Sequence, residues 1–69
     1  MPNKQPWSKN LKMIRVKQDM TQRQAAEKIG VPLSTYGRWE RGYNYPMEIY
    51  REKIAHSLEV PAYEIFTTE

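Results

Sequence analysis

The sequence predicts an all-α fold, a compact bundle of five short helices. Apolar residues recur along the chain at spacings of three and four, the period of a helix with one buried face. Glycine, proline and aspartate separate these segments where helices begin or end. The 69 residues have room for one domain with one modest core. We expect a mobile N-terminal tail over residues 1–6, the domain over 7–66 and a C-terminal tail over 67–69.

The first helix is predicted from the apolar stripe of Trp7, Leu11 and Ile14. Ser8 is the expected N-cap, since its hydroxyl can accept a hydrogen bond from a backbone N–H of the first turn. Asp19 is the expected end, because aspartate adopts the left-handed conformation more readily than most residues.

The second helix carries the clearest start signal. Thr21 and Gln24 have the spacing of a capping box, in which each side chain accepts a hydrogen bond from the backbone N–H of the other residue. Gly30 is the expected end, since glycine tolerates the left-handed conformation there. The inner stripe consists of Ala25, Ala26 and Ile29.

A third short helix is predicted over residues 33–41, with Pro32 at its start and Gly42 as its stop. Tyr36 and Trp39, three residues apart, are expected to face the core. The residues expected to face outward are Ser34, Gly37, Arg38 and Arg41.

The C-terminal part predicts a turn over residues 42–46 and a fourth helix after it. Val60 and Pro61 are expected to break that helix, and residues 62–66 indicate a short closing helix. The predicted inner stripe of the fourth helix is Met47, Tyr50, Ile54, Ala55 and Leu58.

Charge is divided unevenly along the chain. Residues 1–41 carry a net charge of +6, and residues 42–69 a net charge of −3. A basic N-terminal part is what a polyanion-binding face requires. Taken alone, the charge fits a solvated mixed-charge surface equally well.

Several classes of protein are disfavoured by composition. There is no cysteine, and His56 is the single histidine, so we expect no metal site and no cofactor. No nucleophile, base and orienting residue can be assembled, which predicts that the protein is not an enzyme. The longest apolar run is too short to span a bilayer, and residues 1–6 lack the apolar stretch of a signal peptide, so we expect a cytoplasmic protein without a membrane partner.

The second and third helices together have the features of a helix-turn-helix. Gly30 permits a sharp turn, and Ala26 permits close approach of the two helices. Tyr36 and Trp39 would hold one face of the third helix against the second. The opposite face is then free to enter a major groove.

The chain resembles the phage-repressor and Cro-type (XRE-type) helix-turn-helix family over residues 7–66. The resemblance lies in the order and spacing of Met20-Thr21-Gln22, Ala26-Glu27-Lys28-Ile29-Gly30-Val31, Ser34-Thr35-Tyr36, Arg38-Trp39-Glu40-Arg41-Gly42, Pro46, Leu58-Glu59-Val60 and Glu64-Ile65-Phe66. It implies a lambda-repressor-like DNA-binding domain with the helix-turn-helix in helices 2 and 3, the third helix entering the major groove.

The resemblance also implies roles for individual residues. The positions that read bases in the family are occupied here by Leu33, Ser34, Gly37 and Arg38. The phosphate-contacting positions are occupied by Gln22, Arg23, Thr35, Arg41, Tyr43 and Asn44. The positions of a structural ion pair between the first and third helices are occupied by Arg15 and Glu40. Arg38 is the expected principal reader, because a guanidinium fork matches O6 and N7 of guanine.

The expected function is sequence-specific binding of double-stranded DNA by a transcriptional regulator, a repressor that reads a pseudo-palindromic operator. One such domain reads only a few base pairs, so we expect a weak or DNA-assisted homodimer. The alternative is an antitoxin or accessory module that uses this fold to hold a protein partner. One group of residues is compatible either with folding over the core or with a dimer contact: Tyr43, Tyr45, Ile49 and Tyr63.

Overall fold

The computed structural model describes residues 6–66, which form five α-helices joined by short turns. The helices are α1 (Pro6–Lys17), α2 (Gln22–Ile29), α3 (Leu33–Glu40), α4 (Glu48–Leu58) and α5 (Ala62–Ile65). The predicted all-α fold is therefore confirmed. The predicted tails lie outside the described residues, except for residue 6, which belongs to α1.

One hydrophobic core holds the helices together. α2 packs against α3 and α4, α1 packs against α3 and α5, and α4 packs against α5. The core residues are Trp7, Leu11, Ala25, Ala26, Ile29, Tyr36, Trp39, Ile54, Leu58, Ile65 and Phe66. Because α2 and α3 have only 8 residues each, neither would be stable alone, and both depend on this packing.

Each of the first four helices is followed by a residue with positive φ. Asp19 (φ 61°), Gly30 (φ 94°), Gly42 (φ 77°) and Glu59 (φ 60°) follow α1, α2, α3 and α4. In each case the N–H after that residue returns to a carbonyl of the last helical turn. The expected ends at Asp19, Gly30 and Gly42 are confirmed, whereas Glu59 gave no sequence signal for this conformation.

The start of α1 differs from the prediction. The helix begins at Pro6, one residue inside the predicted tail, and Ser8 lies within the helix, fully buried. Ser8 as N-cap is therefore wrong. Proline suits the first turn because its φ is already helical and its missing N–H would have no partner there.

The start of α4 also differs. Met47 precedes the helix as its N-cap residue and is 65% exposed, and Tyr50 is 36% exposed, so neither belongs to a buried stripe. The buried residues of α4 are Ile54, Ala55 and Leu58. The first turn of α4 lies at the edge of the core, where Tyr50 contacts the Trp39 ring at a centroid distance of 5.8 Å.

Two amides near α1 hold the C-terminal helices. Gln18 donates from Nε2 to the carbonyl of Leu58 at 2.8 Å, and Asn10 donates from Nδ2 to the carbonyl of Ile65 at 3.1 Å. The last carbonyls of a helix have no partner within it, so these bonds satisfy groups that the ends of α4 and α5 leave open.

Candidate nucleic-acid interface

The turn between α2 and α3 fixes the angle between these helices. Gly30 lies in the left-handed region, which glycine adopts at little steric cost. Its N–H and that of Val31 both donate to the carbonyl of Ala26, at 2.8 Å and 3.0 Å, and so close α2. The buried face of α2 is formed by Ala25, Ala26 and Ile29. Two methyl side chains on this face let the neighbouring helices approach closely.

Aromatic side chains hold α3 in place. Tyr36 is fully buried and Trp39 is 4% exposed, as the sequence predicts. Their rings meet edge to face with centroids 6.2 Å apart, a favourable arrangement for two aromatic quadrupoles. Because both anchors point into the core, the opposite stripe of α3 has a fixed orientation toward solvent.

The exposed stripe of α3 is electropositive. Ser34, Arg38 and Arg41 follow one another at spacings of four and three, and all three are exposed. Leu33, beside Ser34, is 38% exposed. The single carboxylate of α3, Glu40, is buried and faces away from this stripe. The stripe therefore presents two guanidinium groups with no acidic residue of its own helix among them, which favours a polyanionic ligand.

Gly37 lies on this stripe but is buried, so the expectation that it faces solvent is wrong. The Arg41 side chain covers it: Nη1 lies 3.6 Å from the point where a Cβ of residue 37 would stand. The physical reason is the direction of helical side chains, which lean toward the N-terminus over the preceding turn. The missing side chain leaves a depression, and the guanidinium one turn later fills it.

The turn after α3 brings an aromatic ring against the Arg41 side chain. Gly42 donates its N–H to the carbonyl of Trp39 at 3.0 Å, and Tyr43 donates its N–H to the carbonyl of Arg38 at 3.1 Å. This pair of bonds turns the chain so that Cζ of Arg41 lies 5.3 Å from the centroid of the Tyr43 ring. The ring face attracts the cation and limits its freedom.

Glu40 is the centre of a hydrogen-bond network between three helices. Arg15 of α1 donates from Nε to Oε2 at 2.6 Å and from Nη2 to Oε1 at 3.2 Å. Tyr36 donates its hydroxyl to Oε2 at 2.5 Å, and Gln22 of α2 donates from Nε2 to Oε1 at 2.9 Å. Arg15 also donates from Nη1 to the carbonyl of Met20 at 2.7 Å. The network ties α1 and the start of α2 to the end of α3.

Electrostatics keep the Glu40 carboxylate ionised despite its burial. Burial alone would raise the pKa of Glu40, but hydrogen bonds from Arg15, Tyr36 and Gln22 outweigh it and leave the pKa below the ordinary value. The bond to Glu40 in turn raises the pKa of Arg15. Burial, followed by the bond to Glu40, raises the pKa of the Tyr36 hydroxyl far above its usual value, so this group stays a donor.

The predicted phosphate-contacting residues lie at the start of α2, on α3 and in the turn after α3. Gln22 is half-buried, and because its amide carries two hydrogens, one can donate to Glu40 while the other remains. The Gln22–Glu40 bond brings the start of α2 beside the end of α3. Of the other members, Thr35 is half-buried and the exposed ones are Arg23, Arg41, Tyr43 and Asn44.

Two members of the Glu40 network were not expected from the sequence. Tyr36 and Glu40 stand four residues apart on one helix, a spacing at which side chains meet, and that spacing is the signal that could have identified the pair. Gln22 and Glu40 are separated by 18 residues, and no local pattern connects them.

One aromatic residue of the turn after α3 folds over the core. The Tyr45 ring meets those of Trp7 and Phe66 at centroid distances of 5.4 Å and 5.9 Å, and the Arg51 guanidinium lies 4.9 Å above it. Three apolar or aromatic side chains of the same part of the chain are 65% exposed or more: Tyr43, Ile49 and Tyr63. Of the two interpretations that the sequence left open, folding over the core is therefore the one that holds for Tyr45.

Within residues 6–66, no three histidine, cysteine, aspartate or glutamate side chains come together as metal ligands would. His56 is exposed in the last turn of α4. None of the helices in this range is long and apolar enough to cross a membrane.

Comparison with known families matches residues 11–65 to the helix-turn-helix family HTH_3. No protein with a curated description matches the chain. Among solved structures, the restriction-modification controller protein C.AhdI from Aeromonas hydrophila is similar with a TM-score of 0.84 and 24% identity, over 88% of this chain and 92% of that one. A hypothetical transcription factor, NHTF from Neisseria, is similar with a TM-score of 0.81 and 25% identity, over 86% of this chain and 68% of that one. An HTH_3 family transcriptional regulator from Vibrio cholerae is similar with a TM-score of 0.82 and 28% identity, over 88% of this chain and 34% of that one.

Proposed function

The chain belongs to the helix-turn-helix family HTH_3, and from that membership we propose that it is a DNA-binding transcriptional regulator that reads a specific operator with α3. The observation that carries the proposal is the exposed stripe of α3. It presents Arg38 on a helix whose other face is held by Tyr36 and Trp39. A rigid helix with a cation on its free face is the shape and charge that a major groove accepts.

Arg38 is the principal base reader in this proposal. Its guanidinium can donate two parallel hydrogen bonds to O6 and N7 of one guanine, a pattern that the other base pairs do not offer in the major groove. Ser34, one turn earlier, can donate to or accept from a base edge. Leu33, 38% exposed, can contact a thymine methyl group.

Phosphate contacts fix the position of α3 in the groove. The remaining hydrogen of the Gln22 amide can donate to a phosphate oxygen beside the start of α2, where the helix dipole also favours an anion. Of the other residues expected to contact phosphates, Arg23 lies at the start of α2, Thr35 in the first turn of α3, and Tyr43 and Asn44 in the turn after α3. Because Glu40 holds Gln22, the same network that orients α3 also orients this phosphate contact.

Two copies of the chain bind one operator in this proposal. The structure extends over 30 × 23 × 22 Å, a size that allows two copies side by side to place their α3 helices one turn of DNA apart, about 34 Å. A twofold axis between them requires a pseudo-palindromic site. The exposed side chains of Ile49 and Tyr63 in the C-terminal half are the proposed contact between copies, 66% and 73% exposed in the single chain.

Repression follows from occupancy. A regulator bound across two successive major grooves excludes polymerase from any promoter that overlaps the operator. No ligand or second domain is needed for this mode of action, which makes it the simplest one for a domain of this size.

Selection from a randomised duplex pool at near-physiological salt tests the proposal. We expect the wild type to enrich a twofold-symmetric motif, and Arg38→Ala to relax one base pair in each half-site. Lys17→Ala is the matched control, because it removes one exposed positive charge at the end of α1 and should leave the motif unchanged.

Two outcomes would contradict the proposal. Binding that is sensitive to salt but indifferent to sequence would reduce the α3 stripe to a non-specific electrostatic grip. Tight association with a co-expressed protein that survives Arg38→Ala, without any enriched motif, would favour the antitoxin or accessory module instead.

A further inference from the structure

The position of the Arg41 guanidinium on α3 could not be predicted from its place in the sequence. It follows the last helical residue, where a side chain could equally extend toward the groove wall. Its guanidinium instead lies back over Gly37, with Nη1 3.6 Å from the missing Cβ position. It therefore lies on the exposed stripe, over the helical turn that precedes it.

The guanidinium is held at this place without being neutralised. The Tyr43 ring lies 5.3 Å from Cζ and restricts its motion. The ion pair found within residues 6–66 is that of Arg15 with Glu40, so no carboxylate in this range pairs with Arg41. A restrained, unpaired cation loses less conformational freedom on binding than a freely rotating one.

We propose that Arg41 is a second base-reading residue. Its guanidinium occupies the space that Gly37 leaves open, and it makes the base contact that a side chain at position 37 would otherwise make. This inference rests on the proposed function, because it requires α3 to enter the major groove. Bases lie opposite the groove-facing stripe of a helix, whereas phosphates line the groove walls. A guanidinium lying on the helix backbone at Gly37 faces the bases, and its natural target is the O6 and N7 edge of a guanine.

The choice of glycine at position 37 follows from the same geometry. A methyl group there would meet Nη1 at an ordinary contact distance, so Gly37→Ala leaves the guanidinium in place. A side chain that extends beyond Cβ would compete for the volume that the guanidinium fills. Gly37 is thus the residue that admits Arg41 to the stripe.

Operator selection with Arg41→Lys tests the proposal, because lysine keeps the positive charge for a phosphate but lacks the planar fork that donates two parallel hydrogen bonds to guanine. We expect Arg41→Lys to relax one base pair in each half-site, different from the base pair relaxed by Arg38→Ala. Discrimination at that base pair should fall by a factor of about ten or more. Lys17→Ala is the control, because it removes an exposed charge outside the helix-turn-helix, and it should retain the full motif.

An unchanged motif in Arg41→Lys would overturn the proposal. Arg41→Ala would then weaken binding equally on all sequences. It would also reduce the slope of log K against log salt concentration by about one, which marks a phosphate contact. Failure of the proposed function is distinguishable, because in that case the wild type itself enriches no motif. Circular dichroism of each variant, compared with that of the wild type, establishes that lost selection does not come from lost folding.

Discussion

Arg15 and Glu40 meet across 25 residues of sequence in a two-pronged ion pair, with Nε 2.6 Å from Oε2 and Nη2 3.2 Å from Oε1. Their side chains are only 11% and 3% exposed. A buried pair adds little net stability over an apolar pair, since both charges lose their water. What it fixes is geometry: α3 can lie against α1 only where the two prongs match.

Removal of Arg15 should destabilise the fold strongly. Arg15→Ala leaves the Glu40 carboxylate buried without the cation that neutralises it, and we expect a loss of about 2 to 4 kcal/mol in the free energy of unfolding. Lys17→Ala, an exposed change on the same helix, should cost less than about 0.5 kcal/mol. Urea denaturation measures both. Equal losses in the two variants would contradict a structural role for the pair.

Acid should weaken the fold through Glu40. Because the folded pKa of Glu40 lies below the ordinary value of 4.5, its contribution to stability is present above that pH and is lost as the pH falls through the folded pKa. We expect Glu40→Gln to be less stable than the wild type at pH 7, with a smaller further loss between pH 5 and about 3.

The measurement is the urea midpoint as a function of pH. Glu27→Gln, an exposed change on α2, is the control and should follow the wild-type curve. A Glu40→Gln curve parallel to that of the wild type would mean that Glu40 does not contribute to the acid sensitivity.

The turn after α4 should accept glycine with a gain in stability. Glu59 has φ 60°, the left-handed region that costs a non-glycine residue about 1 kcal/mol. Glu59→Gly removes this cost, and we expect the melting temperature to rise by a few degrees, since a gain of 1 kcal/mol shifts a domain of this size by roughly 4–8 °C. Glu59→Ala keeps the Cβ and should show no such gain. A gain of the same size in both variants would trace the effect to the lost carboxylate and not to the backbone.

Local signals in the sequence predicted most of the helix-turn-helix. The Thr21–Gln24 capping box is present with both of its hydrogen bonds, 3.0 Å and 2.9 Å, and Gly30 ends α2 in the left-handed conformation. These features depend on residues within one or two turns of each other. The spacing of Tyr36 and Trp39 likewise gave the buried face of α3, because both anchors sit on one short helix.

Features that depend on tertiary contacts were beyond the sequence. Glu59 has no intrinsic preference for the left-handed conformation and adopts it because α4 must turn back into α5. Met47 fits the apolar period of α4 but lies before its first turn, where no neighbour covers it. Gly37 was expected to face outward, and only the direction of the Arg41 side chain explains its burial.

The binding of two duplexes that differ only in the guanine assigned to Arg38 tests whether Arg38 on α3 reads a base. The ratio of the two Kd values measures discrimination at that base pair at fixed salt. We predict that the wild type discriminates by a factor of about ten or more, that Arg38→Ala abolishes this ratio and that Lys17→Ala preserves it. If Arg38→Ala weakens binding to both duplexes equally and leaves the ratio of their Kd values unchanged, Arg38 contacts only phosphate. The proposal that α3 reads bases through Arg38 would then be wrong.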